Sequence, residues 1–120
     1  MGCELVLKIY ELTKKLPEKE KGNFIQQMER ASTSIPANIA EGCASKFDKN
    51  YYSHLSIAYA SLKELETYII LGYNLKYFRD EDFNVVYALA DRLGIKISFL
   101  MKKIDERINK KNKTLILPHS

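Results

Sequence analysis

Two long segments of the chain carry apolar residues at alternating spacings of three and four. In the first segment these positions are Leu55, Ala58, Leu62, Leu65, Ile69 and Gly72. In the second, which follows the acidic triplet at 80–82, they are Phe83, Val86, Ala90, Leu93, Ile97, Leu100 and Ile104. This alternation places side chains on one stripe of an α-helix and favours long, nearly antiparallel helix packing. Because about five residues join the two segments, the sequence predicts a helical hairpin.

Two shorter helical patterns precede the hairpin. The first helix is predicted over about residues 3–15, and its apolar stripe is Leu5, Ile9, Leu12 and Leu16. The second is predicted to begin near Asn23, a plausible N-cap, with a stripe of Phe24, Met28, Ala31, Ile35, Ile39 and Gly42. No segment alternates with the period of two that a strand requires. We therefore predict an all-α fold, an up-down-up-down four-helix bundle over residues 1–110 with a short basic tail at 111–120.

Pro36 lies in the middle of the second helical pattern. A proline there removes one backbone hydrogen bond and clashes with the carbonyl four residues back, at Ser32. The apolar phase is the same before and after the proline, so we expect the helix to kink at Pro36 and continue. The hydroxyls of residues 32–34 can bind the disturbed backbone.

The net charge of +4 is concentrated near one end of the chain. Residues 102–113 contain two acidic and six basic side chains, the latter being Lys102, Lys103, Arg107, Lys110, Lys111 and Lys113. The other residues carry 13 basic and 13 acidic side chains, so the rest of the chain is neutral. A charged run is most often a solvated face, but clustering of one sign favours polyanion binding. We expect these six cations to bind RNA or DNA phosphates without sequence preference; base stacking is not implied, because no aromatic residue interleaves with them.

The sequence lacks the patterns of common catalytic and metal sites. His54 and His119 are the histidines, neither belongs to a Glu-x-x-His pair, and the five glycines are scattered singly. We therefore expect no enzymatic activity, no metal and no cofactor. No apolar run approaches the roughly 18 residues of a membrane span, and Glu4 stands where a signal peptide is basic. Cys3 and Cys43 form no metal spacing and are interpreted as free thiols of a cytoplasmic protein.

Four residues in the middle of the chain each allow a structural and a chemical interpretation. Asn38 and Glu41 lie near an apolar face; Asn38 binds backbone opened by Pro36 and Glu41 pairs with a basic group, or the two form a ligand or catalytic site. Cys43 is a small buried apolar side chain or a nucleophile at a helix end. His54 is a surface or partner-contacting histidine or a general base. We favour the structural interpretation for all four.

Both long helices have more apolar residues than one stripe uses. The surplus positions are Tyr52, Tyr59, Tyr68, Ile70, Leu71, Tyr73, Val85, Leu89, Phe99 and Met101. They belong either to a broad core stripe or to a second face that is buried against another subunit. The residues alone do not distinguish these alternatives.

Several stretches resemble a known bacterial family. They are residues 9–17, 27–31, 34–42, 56–58 and 61–67. Together they are similar to a family of four-helix-bundle proteins whose members include proteins encoded in 23S rRNA intervening sequences. The resemblance covers about residues 5–105, and its signature residues, which we interpret as structural, are Arg30, Ser34, Pro36, Asn38, Glu41 and Gly42.

The chain departs from the family pattern just after Gly42. Ser45 and Phe47 stand where the family usually has an arginine followed by a serine N-cap, and Ala60 stands where it often has glycine. The first departure moves the predicted cap of the third helix to Asp48. It also removes a basic residue and weakens the case for phosphate binding at this corner.

The resemblance implies a homo-oligomer, with a ring of five chains as the expected assembly, and no established enzymatic activity. Relatives include accessory proteins of diversity-generating retroelements, which act with a reverse transcriptase and RNA. Two hypotheses follow. The first is a non-enzymatic oligomer that binds RNA or DNA through the basic end of the fourth helix. The alternative is a protein-interaction scaffold that acts with a reverse transcriptase.

Overall fold

The structure is a computed structural model that describes residues 1–116, with side chains through residue 113. Four α-helices follow one another: α1 (Cys3–Thr13), α2 (Gln26–Cys43), α3 (Asp48–Asn74) and α4 (Asp80–Ile116). A 3₁₀ turn at Glu18–Glu20 and a π-helical turn at Lys21–Ile25 connect α1 to α2. Residues 1–116 contain no β-strand. The predicted all-α, four-helix fold class is confirmed.

Contacts between α3 and α4 occur in opposite sequence order along the two helices. Asp48, at the start of α3, contacts Arg107 near the end of α4. At the other end of the pair, the hydroxyl of Tyr73 donates to the carboxylate of Asp80 at the start of α4. The turn of residues 75–79 that joins them includes Phe78, whose ring is buried. The start of α3 and the end of α4 therefore form one end of the molecule.

The predicted apolar stripes form the core. The stripe residues of α1 are buried, and so are all six predicted positions of α3, from Leu55 to Gly72. In α4 the buried stripe residues are Val86, Ala90, Leu93, Ile97 and Ile104. Ile39, Phe83 and Leu100 are partly exposed. Helical periodicity alone thus identified most of the side chains that the bundle removes from water.

The structure corrects both predicted N-caps. Asn23 lies within the π-helical turn, three residues before α2 begins, and makes no capping bond there. Asp48 is the first residue of α3, and the cap position belongs to Phe47, which has an extended backbone. The Asp48 carboxylate instead binds two side chains of α4, because an ion pair between helices competes successfully with a local capping bond.

Helix α2 continues through Pro36 without a break. The hydroxyls of Ser32 and Thr33 donate to the carbonyl of Glu29, at 3.0 and 2.9 Å. These bonds satisfy the preceding turn and not the Ser32 carbonyl that Pro36 leaves without its usual donor. The continuation is as expected, and the kink at Pro36 stays a prediction.

Helix α4 extends past residue 110, the predicted start of the tail, to Ile116. Lys111 contacts Asp48 at the start of α3, so the last described turn of α4 reaches beyond that helix. Residues 117–120 of the predicted tail, with His119, lie outside the described residues. Over residues 1–116, no helix is both long and apolar enough to cross a membrane.

Candidate nucleic-acid interface

The six predicted phosphate-binding residues of α4 are all exposed. Lys103, Arg107 and Lys111 recur every four residues and therefore share one face of the helix. Lys102 and Lys113 are eleven residues apart, which is three helical turns, and form a second row. The helix thus presents its cations over several turns.

Two of the six cations are bound by an acidic residue of α3. Arg107 donates from Nη2 to Oδ1 of Asp48 at 2.6 Å, and Lys111 donates from Nζ to Oδ2 at 3.0 Å. The hydrogen bond from Arg107, together with that from Lys111, lowers the pKa of Asp48 below its ordinary value of 3.8. Asp48 therefore stays ionised and neutralises part of the predicted site.

Lys103 lies over the ring of Phe99, with Nζ 4.7 Å from the ring centroid. Such a cation–π contact orients the ammonium group while leaving it in water. Lys102 lines a neighbouring groove between α3 and α4 together with Tyr59, Ile95 and Phe99. These lysines lie beside exposed apolar surface.

The structure adds basic residues from a second segment that the sequence analysis missed. A groove at the end of the molecule, here called the basic groove, is lined by Lys46, Phe47, Asp48, Lys49, Asn50, Ile108, Lys111 and Asn112. Lys46 and Lys49 flank the start of α3, and the hairpin brings them beside the last turns of α4. The predicted antiparallel hairpin was the signal that could have located them. A helix start and a helix end meet wherever two neighbouring helices are antiparallel.

Most of the signature residues form a chain of hydrogen bonds between α2 and α3. The Oγ atoms of Ser34 and Ser61 are 2.9 Å apart. Asn38 donates from Nδ2 to the Ser34 carbonyl at 2.9 Å, and its Oδ1 lies 3.0 Å from Nδ1 of His54. Glu41 lies 3.7 Å from the same His54 nitrogen and forms an ion pair only when that ring is protonated. Asn38 thus binds backbone near Pro36, as expected, but at the Ser34 carbonyl.

The other signature residues also fasten helices to one another. Arg30 forms an ion pair with Glu64 of α3. A Cβ atom at Gly42 would lie 2.8 Å from the Cβ of His54 and 2.9 Å from Cδ1 of Tyr51. Contacts that short do not occur in proteins, so the close approach of α2 and α3 requires glycine at this position.

The expectation that Cys43 is buried is wrong. Its side chain is exposed, because Cys43 is the last residue of α2 and the contact with α3 passes through its neighbour Gly42. The ring nitrogen Nδ1 of His54 is shared by Asn38 and Glu41. Burial, and secondarily the neighbouring Cys43 thiol, raises the pKa of Tyr51. Among the described residues, no three His, Cys, Asp or Glu side chains are grouped so that they could hold a metal ion.

The surplus apolar residues of α3 and α4 divide into two groups. Tyr59, Tyr68, Tyr73, Leu89 and Met101 are partly buried and pack against the core. Ile70, Leu71, Val85 and Phe99 are exposed, and so is Ile95, which the sequence analysis did not select. A broad core stripe accounts for the first group. The second group leaves apolar surface available for a partner.

Comparison with known proteins identifies the family. The sequence model described as "23S rRNA-intervening sequence protein" matches residues 1–98. A crystal structure of a protein of unknown function from the S23 ribosomal protein family of Bacteroides thetaiotaomicron has the same fold, with a TM-score of 0.78 at 24% identity. The alignment covers 84% of this chain and 94% of that one. No curated protein shows significant similarity to the chain.

The family match ends at residue 98, four residues before Lys102, so family membership makes no statement about the basic residues at 102–113. It does include the signature residues of α2 and the start of α3. The resemblance noted in the sequence is thereby confirmed. Over most of its length this chain is a member of the 23S rRNA-intervening sequence protein family.

Proposed function

We propose that this protein is a non-enzymatic, cytoplasmic oligomer that binds RNA or DNA without sequence preference. The binding surface, here called the basic end, consists of residues 46–49 and 102–113. The observation that carries the proposal is the position of Lys46 and Lys49 beside Lys111, because it joins two separate basic segments into one surface.

The charge balance supports this location. The basic end contains eight basic and three acidic side chains, whereas the rest of the chain contains 11 basic and 12 acidic ones. A localised excess of this kind attracts polyanions and releases their condensed counterions on binding. Nonspecific attachment of this type has dissociation constants of about 10⁻⁴ to 10⁻⁶ M at physiological salt.

The ion pairs of Asp48 do not prevent phosphate binding. The side chains of Arg107 and Lys111 remain 56% and 69% exposed while they contact Asp48. Exposed ion pairs contribute little net free energy, so a phosphate can take the place of the carboxylate at small cost. Asp48 weakens binding to a degree that can be measured by substituting it.

Oligomerisation would multiply the basic end. A ring of five chains is the assembly that we propose, and the exposed apolar residues of α3 and α4 are candidates for its contacts. Several weak sites on one assembly bind a long polyanion collectively more tightly than one site does. Light scattering tests this part, and the 13.9 kDa mass of a single chain would refute it.

Titration of labelled rRNA fragments at several salt concentrations tests the binding. We expect affinity that falls steeply with salt and is lost in the double variant Lys46→Glu/Lys49→Glu. The matched control is Lys14→Glu/Lys19→Glu, which changes the net charge equally at exposed positions outside the basic end. No binding at low salt would refute the proposal, and equal losses in both variants would refute the location.

A second candidate function is a scaffold that acts with a reverse transcriptase. The groove formed by Tyr59, Gly94, Ile95 and Phe99 favours it, because Ile95 is 63% and Phe99 59% exposed. Genomic neighbourhood discriminates between the candidates: a gene within an rRNA insertion supports the first, and a gene beside a reverse transcriptase supports the second. Co-purification with that neighbouring enzyme, lost in Ile95→Asp, would test the scaffold directly.

A further inference from the structure

Phe47 is an exposed aromatic residue within the basic groove. Its side chain is 67% exposed, whereas Phe24 and Phe78 are buried in the core. The sequence analysis found no aromatic residue among the cations of 102–113 and for that reason did not imply base stacking. The hairpin changes this conclusion, because it places Phe47 in the same groove as Lys111 and Asn112.

The backbone of Phe47 is held in a defined position. Its amide donates to Oγ of Ser45 at 3.3 Å, and its carbonyl accepts from the amide of Tyr51 at 3.1 Å. The residue occupies the cap position of α3 with an extended backbone. A ring carried by a fixed backbone loses little conformational freedom when a ligand packs on it.

The groove around Phe47 has the composition of a single-strand binding site. Lys46 and Lys49 lie on either side of it in sequence, and Lys111 lines the groove from α4. Proteins that bind single strands combine a basic groove that follows the phosphates with aromatic rings on which bases stack. In a duplex the bases are already stacked on one another, so an exposed ring gives no advantage there.

We propose that the basic groove binds single-stranded nucleic acid, with one base stacked on Phe47 and the adjacent phosphates on Lys46, Lys49 and Lys111. The inference rests on the proposed function and narrows its ligand from any polyanion to an unpaired strand. Charge complementarity selects this occupant over an apolar peptide, because lysines line the groove on both helices.

The chain contains no tryptophan, so Phe47→Trp introduces a single fluorescent reporter at the stacking position. The probe is a uridine oligomer of about 16 nucleotides, the upper end of single-domain site sizes. We expect it to quench the fluorescence of Phe47→Trp in a saturable manner. The matched control is Leu7→Trp on α1, whose native side chain is also 67% exposed, and its fluorescence should stay constant.

Affinity measurements provide the second readout. Phe47→Ala should weaken binding of the uridine oligomer about five- to hundredfold, the range expected for loss of one stacked base. Binding of an RNA duplex with the same number of phosphates should change less than about twofold, because phosphate contacts remain. Phe47→Tyr retains the ring and should bind like the native chain.

The outcomes separate this inference from the proposed function. If the native chain binds neither probe at low salt, both fail. If it binds both probes and Phe47→Ala binds both unchanged, the basic end is retained as a polyanion site and stacking is refuted. If Phe47→Ala instead lowers the mass of the assembly in light scattering, a second copy of the chain covers the ring and the inference is overturned.

Discussion

Replacing Gly42 by alanine tests whether the close approach of α2 and α3 is a rigid feature of the bundle. The added Cβ would lie 2.8 Å from the Cβ of His54, 2.9 Å from the ring of Tyr51 and 3.3 Å from the Tyr51 carbonyl oxygen. A Cβ atom and a carbonyl oxygen cannot move by side-chain rotation. The helices must therefore separate locally to accommodate the methyl group.

The expected cost follows from two opposing effects. Overpacking costs about 1–3 kcal/mol, and the upper end applies because atoms fixed to the α3 backbone block the methyl group. Alanine returns about 1 kcal/mol, since it is a better helix former than glycine. The net destabilisation is about 2 kcal/mol, which lowers the melting temperature of a domain of this size by about 8 °C.

Thermal unfolding followed by circular dichroism measures this change, and Gly22→Ala is the matched control. Gly22 has no atom within 4 Å of its Cβ position, and its φ angle is not in the left-handed region. Alanine there should raise stability by about 0.4–1 kcal/mol, mainly through the unfolded chain. The two substitutions should thus act in opposite directions. A melting temperature of Gly42→Ala equal to or above that of the native chain would refute the rigid contact.

Three further predictions concern the polar contacts. Asn38→Ala removes the link between α2 and His54 and should lower the free energy of unfolding in urea by about 1–2 kcal/mol; an unchanged midpoint would contradict this. Asp48→Asn releases Arg107 and Lys111, so RNA should bind more tightly with a steeper salt dependence, by about 0.7 in log–log slope per phosphate gained; an equal slope would show that these cations take no part. The pKa of Asp48 is lower in the folded chain than its ordinary 3.8, so its stabilisation is present above that pH and is lost as the pH falls through the folded value. Melting temperatures of Asp48→Asn should therefore decline less between pH 5 and 2 than those of the native chain, and parallel curves would contradict the assignment.

The core was the part of the fold that the sequence predicted best. Stripe positions such as Leu55, Leu62 and Ile69 are fully buried as expected. Helical periodicity is a local property, since positions three and four apart lie on one face whatever the helix packs against. Local pattern therefore sufficed to identify the fold class and the buried faces.

Helix starts were predicted less well, because caps depend on what else a polar side chain can reach. Asp48 had the right residue type for an N-cap, but Arg107 and Lys111 of α4 attract its carboxylate instead. These partners are about sixty residues away in sequence, and no local pattern contains them. The exposure of Cys43 has a similar origin, since it depends on where Gly42 meets α3.

The candidate site combines both kinds of information. The sequence by itself determined that six cations cluster within residues 102–113, because charge is a property of the residues and not of their arrangement. Only the tertiary structure decided that Lys46, Lys49 and Phe47 join them and that Asp48 neutralises two of them. The physical reason is the antiparallel hairpin, which brings the first turn of α3 against the last turns of α4 and places residues that are distant in sequence in one groove.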